Sequence, residues 1–307
     1  MPAGSDPARE SWDLEAEAPA KLNLALHVAG RRDDGYHELR TVFQAIDLGD
    51  RLFLRDRRPG SGVELVVEGP EAAAAGPPED NLVRRAAELL ARRRAPGRAA
   101  EMRLVKNVPV GGGLGGGSSD AAAALLGLER LWGLDPDPAE TARLALALGS
   151  DVPFFLVGGT ALGEGRGERL TPLPPPPEFG WVLAVPPFRI STATAFRQLS
   201  GNLTFSGAGI NLLVAALREG DRKRFVDQLV NDLYVGVVRI EPRLATVRHE
   251  LFARGAMAVG LSGSGSTQFA LLETKGAARR WLAAEGTCTG CRLSACAPVR
   301  HGARVIS

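Results

Sequence analysis

Between residues 14 and 68 apolar and polar positions alternate with a period near two, in LNLALHV, VFQAIDL, RLFLRD and VELVVE. Such alternation puts every second side chain on one face and predicts β-strands. Turns are expected at Asp33-Asp34-Gly35 and Pro59-Gly60. A helix is predicted from Asn81 to about Arg94, then an amphipathic strand over Glu101–Lys106. A further helix opens at Asp137, with Pro138 in its first position and Glu140 completing a capping-box pattern, and ends at Gly149. Ser150–Phe155 reads as a short, irregular, mostly apolar segment.

The proline run between Leu170 and Gly180 is a stiff linker. Beyond it come a strand (Trp181–Val185), several helices between about 192 and 254, a strand at Gln268–Leu272 and a final helix–strand pair. The expected division is a disordered tail over 1–13, an α+β unit over 14–172 and a second α+β unit over 178–307. No internal repeat is visible.

One segment departs from both periodicities. Residues 109–124 read PVGGGLGGGSSDAAAA, six glycines around one leucine, then two serines and an alanine run. Glycines this dense remove Cβ atoms so that backbone N–H groups can approach a ligand closely. Ser118-Ser119-Asp120 reads as the capped first turn of a helix running through Leu131. A glycine loop feeding a helix N-terminus is an anion site, and polyphosphate is the expected anion. No lysine precedes Ser118, so this is not a Walker A loop, and no acidic residue follows at dinucleotide-fold spacing.

Composition narrows the setting. The chain has 307 residues, 45% hydrophobic and 23% charged, with a net charge of +2 from scattered basic residues, so nothing calls for nucleic acid. No apolar run is long enough for a membrane span, and the N-terminus shows no signal peptide. The expectation is a cytoplasmic protein with reduced cysteines. Only four of the 37 basic residues are lysines: Lys21, Lys106, Lys223 and Lys275. A sequence so inclined to arginine keeps lysine where a compact point charge is needed.

PAKLNLAL (19–26), DGYHEL (34–39), PVGGGLGGGSSDAA (109–122), GSDVPFF (149–155) and LSGSGS (261–266) together resemble the GHMP kinases, over about residues 16–300. The glycine–serine loop marks the whole superfamily; PAKLNL followed by DGYH is specific to one group within it. The resemblance implies the α+β, two-domain GHMP kinase fold, with an N-terminal ATP-binding domain, a C-terminal ferredoxin-like domain and the site in the cleft between them. It also implies Mg²⁺ and ATP-dependent phosphorylation of the 2-hydroxyl of a cytidine-diphospho sugar alcohol in non-mevalonate isoprenoid precursor synthesis. Homoserine or mevalonate kinase activity and a non-catalytic nucleotide-binding module are the alternatives. Both Lys21 and Asp151 are present, which speaks against the module.

Carried onto this sequence, the resemblance implies that Pro109, Val110, Gly111, Gly112, Gly113, Leu114, Gly115, Gly116, Gly117, Ser118 and Ser119 hold ATP, with Ser118 or Ser119 reaching Mg²⁺. Leu114 would anchor the loop in the core. Asn81 would help hold adenine. Lys106 would lie near the nucleotide, or else be a surface lysine ending a strand. Asp151 would engage the acceptor hydroxyl, with Lys21 as its partner. The strand pattern packs Leu22, Leu24 and Leu26 and turns Lys21, Asn23 and Ala25 the other way. Tyr36 would stack on cytosine, with Phe196 completing a sandwich, His37 reading the base edge and Thr192 close by. Gly263, Ser264 and Gly265 would approach the phosphates and the acceptor, although a plain hairpin turn has the same composition. A valine at Gly115 is expected to block ATP alone. Cys288, Cys291, Cys296 and His301 have a zinc-like spacing, but the same stretch reads as a strand that turns Cys291 and Cys296 to opposite faces.

Overall fold

The computed structural model describes residues 11–33, 35–199, 208–284, 288 and 290–307. The expected tail lies outside the described residues as far as Glu10, and so does Asp34 of the predicted turn. Ser11–Asp13 are held in place. The Ser11 carbonyl accepts from Arg55, the Arg55 guanidinium lies 4.6 Å from the Trp12 ring centre, and Asp13 accepts from the Asp56 amide.

The first sheet is built on two long antiparallel strands, β1 (Leu14–Arg31) and β2 (His37–Arg57). VFQAIDL and RLFLRD are one strand, not two. Pro19 pairs with Gly49 but Ala20 pairs with Ile46, so the residues that read as a break form a bulge. Every residue of β1 from Ala18 to Leu26 is buried, Lys21, Asn23 and Ala25 included. The alternation there does not separate core from solvent, because both faces of the strand are covered.

β2 forks the sheet. Its second half pairs with β4 (Ala99–Val105), which carries β3 (Val63–Glu68) in parallel; its first half pairs with β5 (Thr160–Gly165), which carries β6 (Arg169–Leu173). Helices α1 (Leu82–Arg94), α2 (Gly116–Leu131), α3 (Pro138–Leu148) and α4 (Val152–Val157) contribute the other side of this core. Asp137 caps α3 through its side-chain oxygen, as its sequence predicts, and Asn81 caps α1 in the same way. In α2, Ala121–Ala124 are fully buried, and a Cβ on Gly127 would meet Leu54 Cδ1 at 2.9 Å. Small residues let this helix lie at the centre of the unit. Two local expectations are corrected. Ser118-Ser119-Asp120 does not cap α2, which begins at Gly116 behind Gly115 (φ +71°). SDVPFF is helical from Val152, with Asp151 as the residue before it.

The second unit comprises β7 (Gly180–Val185), α5 (Thr192–Arg197), α6 (Ala208–Glu219), α7 (Arg222–Asp227), α8 (Tyr234–Ile240), α9 (Arg243–Ala253), β8 (Ala258–Leu261), β9 (Gln268–Leu272), α10 (Lys275–Ala283) and β10 (Arg292–Cys296). Its antiparallel sheet runs β10-β7-β9-β8, the β-α-β-β-α-β arrangement of a ferredoxin-like domain. Residues from α6, β7 and β9 share a core with Leu22, Leu24 and Ile46 of the first sheet. Among the described residues no helix is long and apolar enough to cross a membrane.

The unit expected over 178–307 does not keep its last residues. β11 (Arg304–Val305) pairs with β1, and Ala303 donates to the Phe155 carbonyl of α4 (2.7 Å). This returning segment packs behind the helix that carries Asp151. Its passage depends on Gly158, at φ +70°, where a Cβ would sit 1.8 Å from the Gly302 amide nitrogen. Gly158→Ala is therefore expected to cost at least about 2 kcal/mol, combining the left-handed backbone and overpacking penalties. Thermal unfolding checks this; an unchanged midpoint would show that the chain end does not brace α4.

Candidate active site

Lys21 leaves β1 in the middle of its buried stretch. Its Nζ donates to Asn23 Oδ1 (2.6 Å) and lies 3.5 Å from Asp151 Oδ2. The lysine side chain is 4% exposed and the aspartate 36%, so the pair has a buried and an accessible end. Burial pulls the Lys21 pKa below its ordinary value, and the Asp151 charge opposes that shift. Thr41, which the sequence did not single out, sets the geometry. Its hydroxyl donates to the Ala25 carbonyl and accepts from Asn23 Nδ2 (2.8 Å), which leaves Asn23 Oδ1 for the lysine.

The glycine loop lies beside this pair. The Lys21 amide donates to the Leu114 carbonyl (2.9 Å), and Leu114 is buried in the core as expected. A cavity of ≈ 300 Å³ lies over the loop, lined by Asn81, Lys106, Pro109–Gly111, Gly113–Ser118 and Asp120, among others. Gly112 and Ser119 do not line it. Gly112 packs against Thr267, and the Ser119 hydroxyl is buried without a partner among the described residues. Asn81 spends Oδ1 on the Val83 amide. Lys106 is no surface lysine: its ammonium is buried between Asp50 and Asp120. Burial opposes its charge, but the two carboxylates outweigh that and raise its pKa; burial drives Asp120 well above a usual carboxylate.

The second glycine turn locks onto the first. Ser262 Oγ donates to the Gly113 carbonyl (2.8 Å), and the Thr267 amide donates to the Gly112 carbonyl (3.1 Å). A Cβ on Gly113 would lie 2.1 Å from the Ser262 carbonyl oxygen, and one on Gly263 would lie 3.2 Å from Asn23 Oδ1 and 3.4 Å from Lys21 Nζ. The turn does join β8 to β9 as a hairpin, and it also reaches the lysine. Asn231, another residue the sequence did not flag, holds it by donating to the carbonyls of Leu261 and Gly263. A Cβ on Gly115 would meet Phe155 at 2.8 Å and Lys21 at 3.1 Å, so a valine there presses on the Lys21 side as well as on the loop.

Across from the loop lies a cavity of ≈ 870 Å³ lined by Tyr36, His37, Asp151, Arg166, Thr192 and Phe196, among others. The His37 and Phe196 rings stack at 4.7 Å. Tyr36 is half exposed, with the Arg166 guanidinium 4.6 Å from its ring centre. Burial lowers the His37 pKa and the nearby Arg31 charge adds to this, which keeps the imidazole neutral near pH 7. Thr192 and Ser264 share a hydrogen bond (2.9 Å) that ties α5 to the second glycine turn; Gly265 lies beyond, at φ +88°. A smaller cavity of ≈ 250 Å³, lined by Lys21, Asn23, Asp151, Arg166, Gly113 and Gly115, among others, continues inward from the aromatic one. Gly113 and Gly115 also line the cavity over the loop. Arg166 therefore borders both the aromatic end and the lysine end.

The zinc-like set is not assembled. Cys291, just before β10, and Cys296, at its end, belong to different cores, and no group of three or more metal-ligating side chains occurs among the described residues.

The family pattern described as "GHMP kinases N terminal domain" matches residues 81–159, and "GHMP kinases C terminal" matches residues 213–284. A protein of Pelotomaculum thermopropionicum named 4-diphosphocytidyl-2-C-methyl-D-erythritol kinase is 45% identical, over 87% of this chain and 92% of its own. One of the same name from Rhodococcus jostii is 43% identical over 94% of each. A crystal structure of 4-(cytidine 5'-diphospho)-2C-methyl-D-erythritol kinase superposes with TM-score 0.74 at 37% identity, covering 92% of this chain and 98% of that one. A homoserine kinase from Cytophaga hutchinsonii superposes with TM-score 0.76 at 20% identity, over 95% of this chain and 97% of that one, and so shares the fold. An ATP-dependent small-molecule kinase is what these matches describe, and the chain belongs to the GHMP kinase family.

Proposed function

We propose that this kinase phosphorylates the 2-hydroxyl of 4-diphosphocytidyl-2-C-methyl-D-erythritol, with ATP over the glycine loop and the cytidine end among Tyr36, His37 and Phe196. The observation that carries the reading is the continuity of the cavities. An aromatic pocket leads past Arg166 to Lys21 and Asp151, and ends on glycines that also border the cavity over the loop. A cytosine displaces Arg166 from the Tyr36 face, and the freed guanidinium pairs with the substrate's diphosphate. Neutral His37 suits the hydrogen-bonding edge of an uncharged base.

Backbone amides around Gly113–Gly117 and the dipole of α2 hold the ATP phosphates. The residues present fit Mg²⁺ held chiefly by the nucleotide: Ser118 borders the cavity and supplies a hydroxyl, whereas Ser119 is turned away. Mg²⁺ would neutralise charge on the phosphates. In the transfer, the acceptor oxygen bonds to the γ-phosphorus as the bond to the ADP oxygen breaks, and the hydroxyl proton leaves toward Asp151. The transition state is loose, so Asp151 acts mainly by orienting the hydroxyl, and Lys21 stabilises charge on the transferred group. The buried ammonium costs stability on its own and is retained because Asn23 and Asp151 hold it at the point of transfer.

ADP release with this acceptor, measured against homoserine and mevalonate, tests the assignment. Only the cytidine compound should support turnover; turnover with either of the others instead would overturn it. Tyr36→Ala should weaken acceptor binding by roughly 1–3 kcal/mol, the usual base-stacking range, with ATP affinity little changed. Calorimetry with the cytidine and uridine compounds checks both the loss and the preference for cytosine. Asp151→Asn should leave ATP binding in place and lower kcat by a factor on the order of 10²–10⁴, the range for a positioned acid–base group. A kcat within about threefold of wild type would remove Asp151 from this role.

A further inference from the structure

The loop that faces ATP has a neck, and three buried charges close it. Asp50 lies on β2 and is fully buried. Its Oδ1 accepts from the backbone amides of Asn107 (2.5 Å) and Val108 (2.8 Å), the residues immediately before the loop. Its Oδ2 accepts from Lys106 Nζ, at the end of β4. The same ammonium donates to Asp120 Oδ2 (2.7 Å) in α2, immediately after the loop. Lys106 Nζ also lies 3.1 Å from where a Cβ on Gly116 would project, directly under the start of the helix.

A lone ammonium at that place is unfavourable, since the N-terminus of a helix already carries partial positive charge. Two carboxylates make it tolerable, and so the lysine is committed to them. With both ionised the group would carry a surplus negative charge beside a phosphate site. Asp120 Oδ1 is buried with no partner among the described residues. Asp50 is thus fully used and Asp120 is half used.

We propose that Asp50, Lys106 and Asp120 form a clasp that holds the two ends of the phosphate loop together, with Asp50 as the positioning residue for the nucleotide. Lys106 then acts on ATP through the shape of the loop, and not as a free phosphate-binding cation. The inference rests on ATP occupying the cavity over the loop.

The test uses the full chain, ATP titrated by calorimetry, and separate KM values for ATP and for the acceptor. Asp50→Asn replaces an acceptor facing Lys106 by a possible donor and weakens the two amide bonds. It is expected to raise the KM for ATP about tenfold or more, with the acceptor KM within about threefold, a split that general loosening would not produce. Asp120→Asn keeps an oxygen for Lys106 and leaves the Asp50 bonds in place, and is expected to change the KM for ATP by less than about threefold. If Asp50→Asn does not fold, the triple variant Asp50→Asn, Lys106→Met, Asp120→Asn leaves no charge buried and should show the same selective loss of ATP. Equal loss of both ligands, no loss of either, or an Asp120→Asn variant as impaired toward ATP as Asp50→Asn would overturn the clasp. A wild-type chain that binds no ATP would overturn the nucleotide reading and the clasp together.

Discussion

The site depends on a contact between two glycine turns that are far apart in sequence. Gly113 adopts φ +80°, and its missing Cβ leaves the room that the Ser262 carbonyl oxygen occupies. Ser262 and Thr267 then bond back to the carbonyls of Gly113 and Gly112. No other residue fits at 113, since the backbone is left-handed and the space is already taken. Through this contact the second unit's hairpin is set against Lys21 and Asn23, and the aromatic cavity is fixed relative to the cavity over the glycine loop. The site in the cleft therefore has backbone-to-backbone contact at its centre.

Charge is handled differently at the two lysines near the loop. Lys21 is buried with one neutral partner and one accessible carboxylate, so its positive charge is held at a cost and can act on a ligand. Lys106 is buried between two carboxylates and its charge is already compensated. Both are compact ammonium groups in a chain with 33 arginines, as the scarcity of lysine suggested.

Local signals in the sequence were legible where the chemistry is local. The helix start at Asn81, the cap at Asp137, the strand Gln268–Leu272 and the anchoring of Leu114 follow from residues next to one another. Features set by distant partners were not. The helix that starts within SDVPFF has six residues, too few for its periodicity to show, and it is braced by a segment some 150 residues later, a return that no local pattern announces. The alternation in β1 turns Lys21 and Asn23 away from the leucines, and that face is buried as well, against Phe43 and the two glycine turns. Thr41 and Asn231 serve the site through side-chain hydrogen bonds, Arg166 through its contact with the Tyr36 ring, and Asp50 and Asp120 through a lysine. The one available sign was a carboxylate inside an otherwise apolar or alanine-rich run, as in IDLGD and SSDAAAA.

The central claim is that the two half-sites are joined through Gly113, and a pair of alanine variants tests it directly. At Gly117 a Cβ faces nearly open space, with Leu82 Cδ1 at 3.8 Å, and the position borders only the cavity over the loop. Calorimetry of both variants with ATP and, separately, with the cytidine compound should give two different outcomes. Gly117→Ala should weaken ATP alone, whereas Gly113→Ala should weaken both ligands, because moving the Ser262 carbonyl disturbs the turn that packs on Lys21 and Asn23. A Gly113→Ala variant that loses ATP and binds the cytidine compound like the wild type would contradict the account.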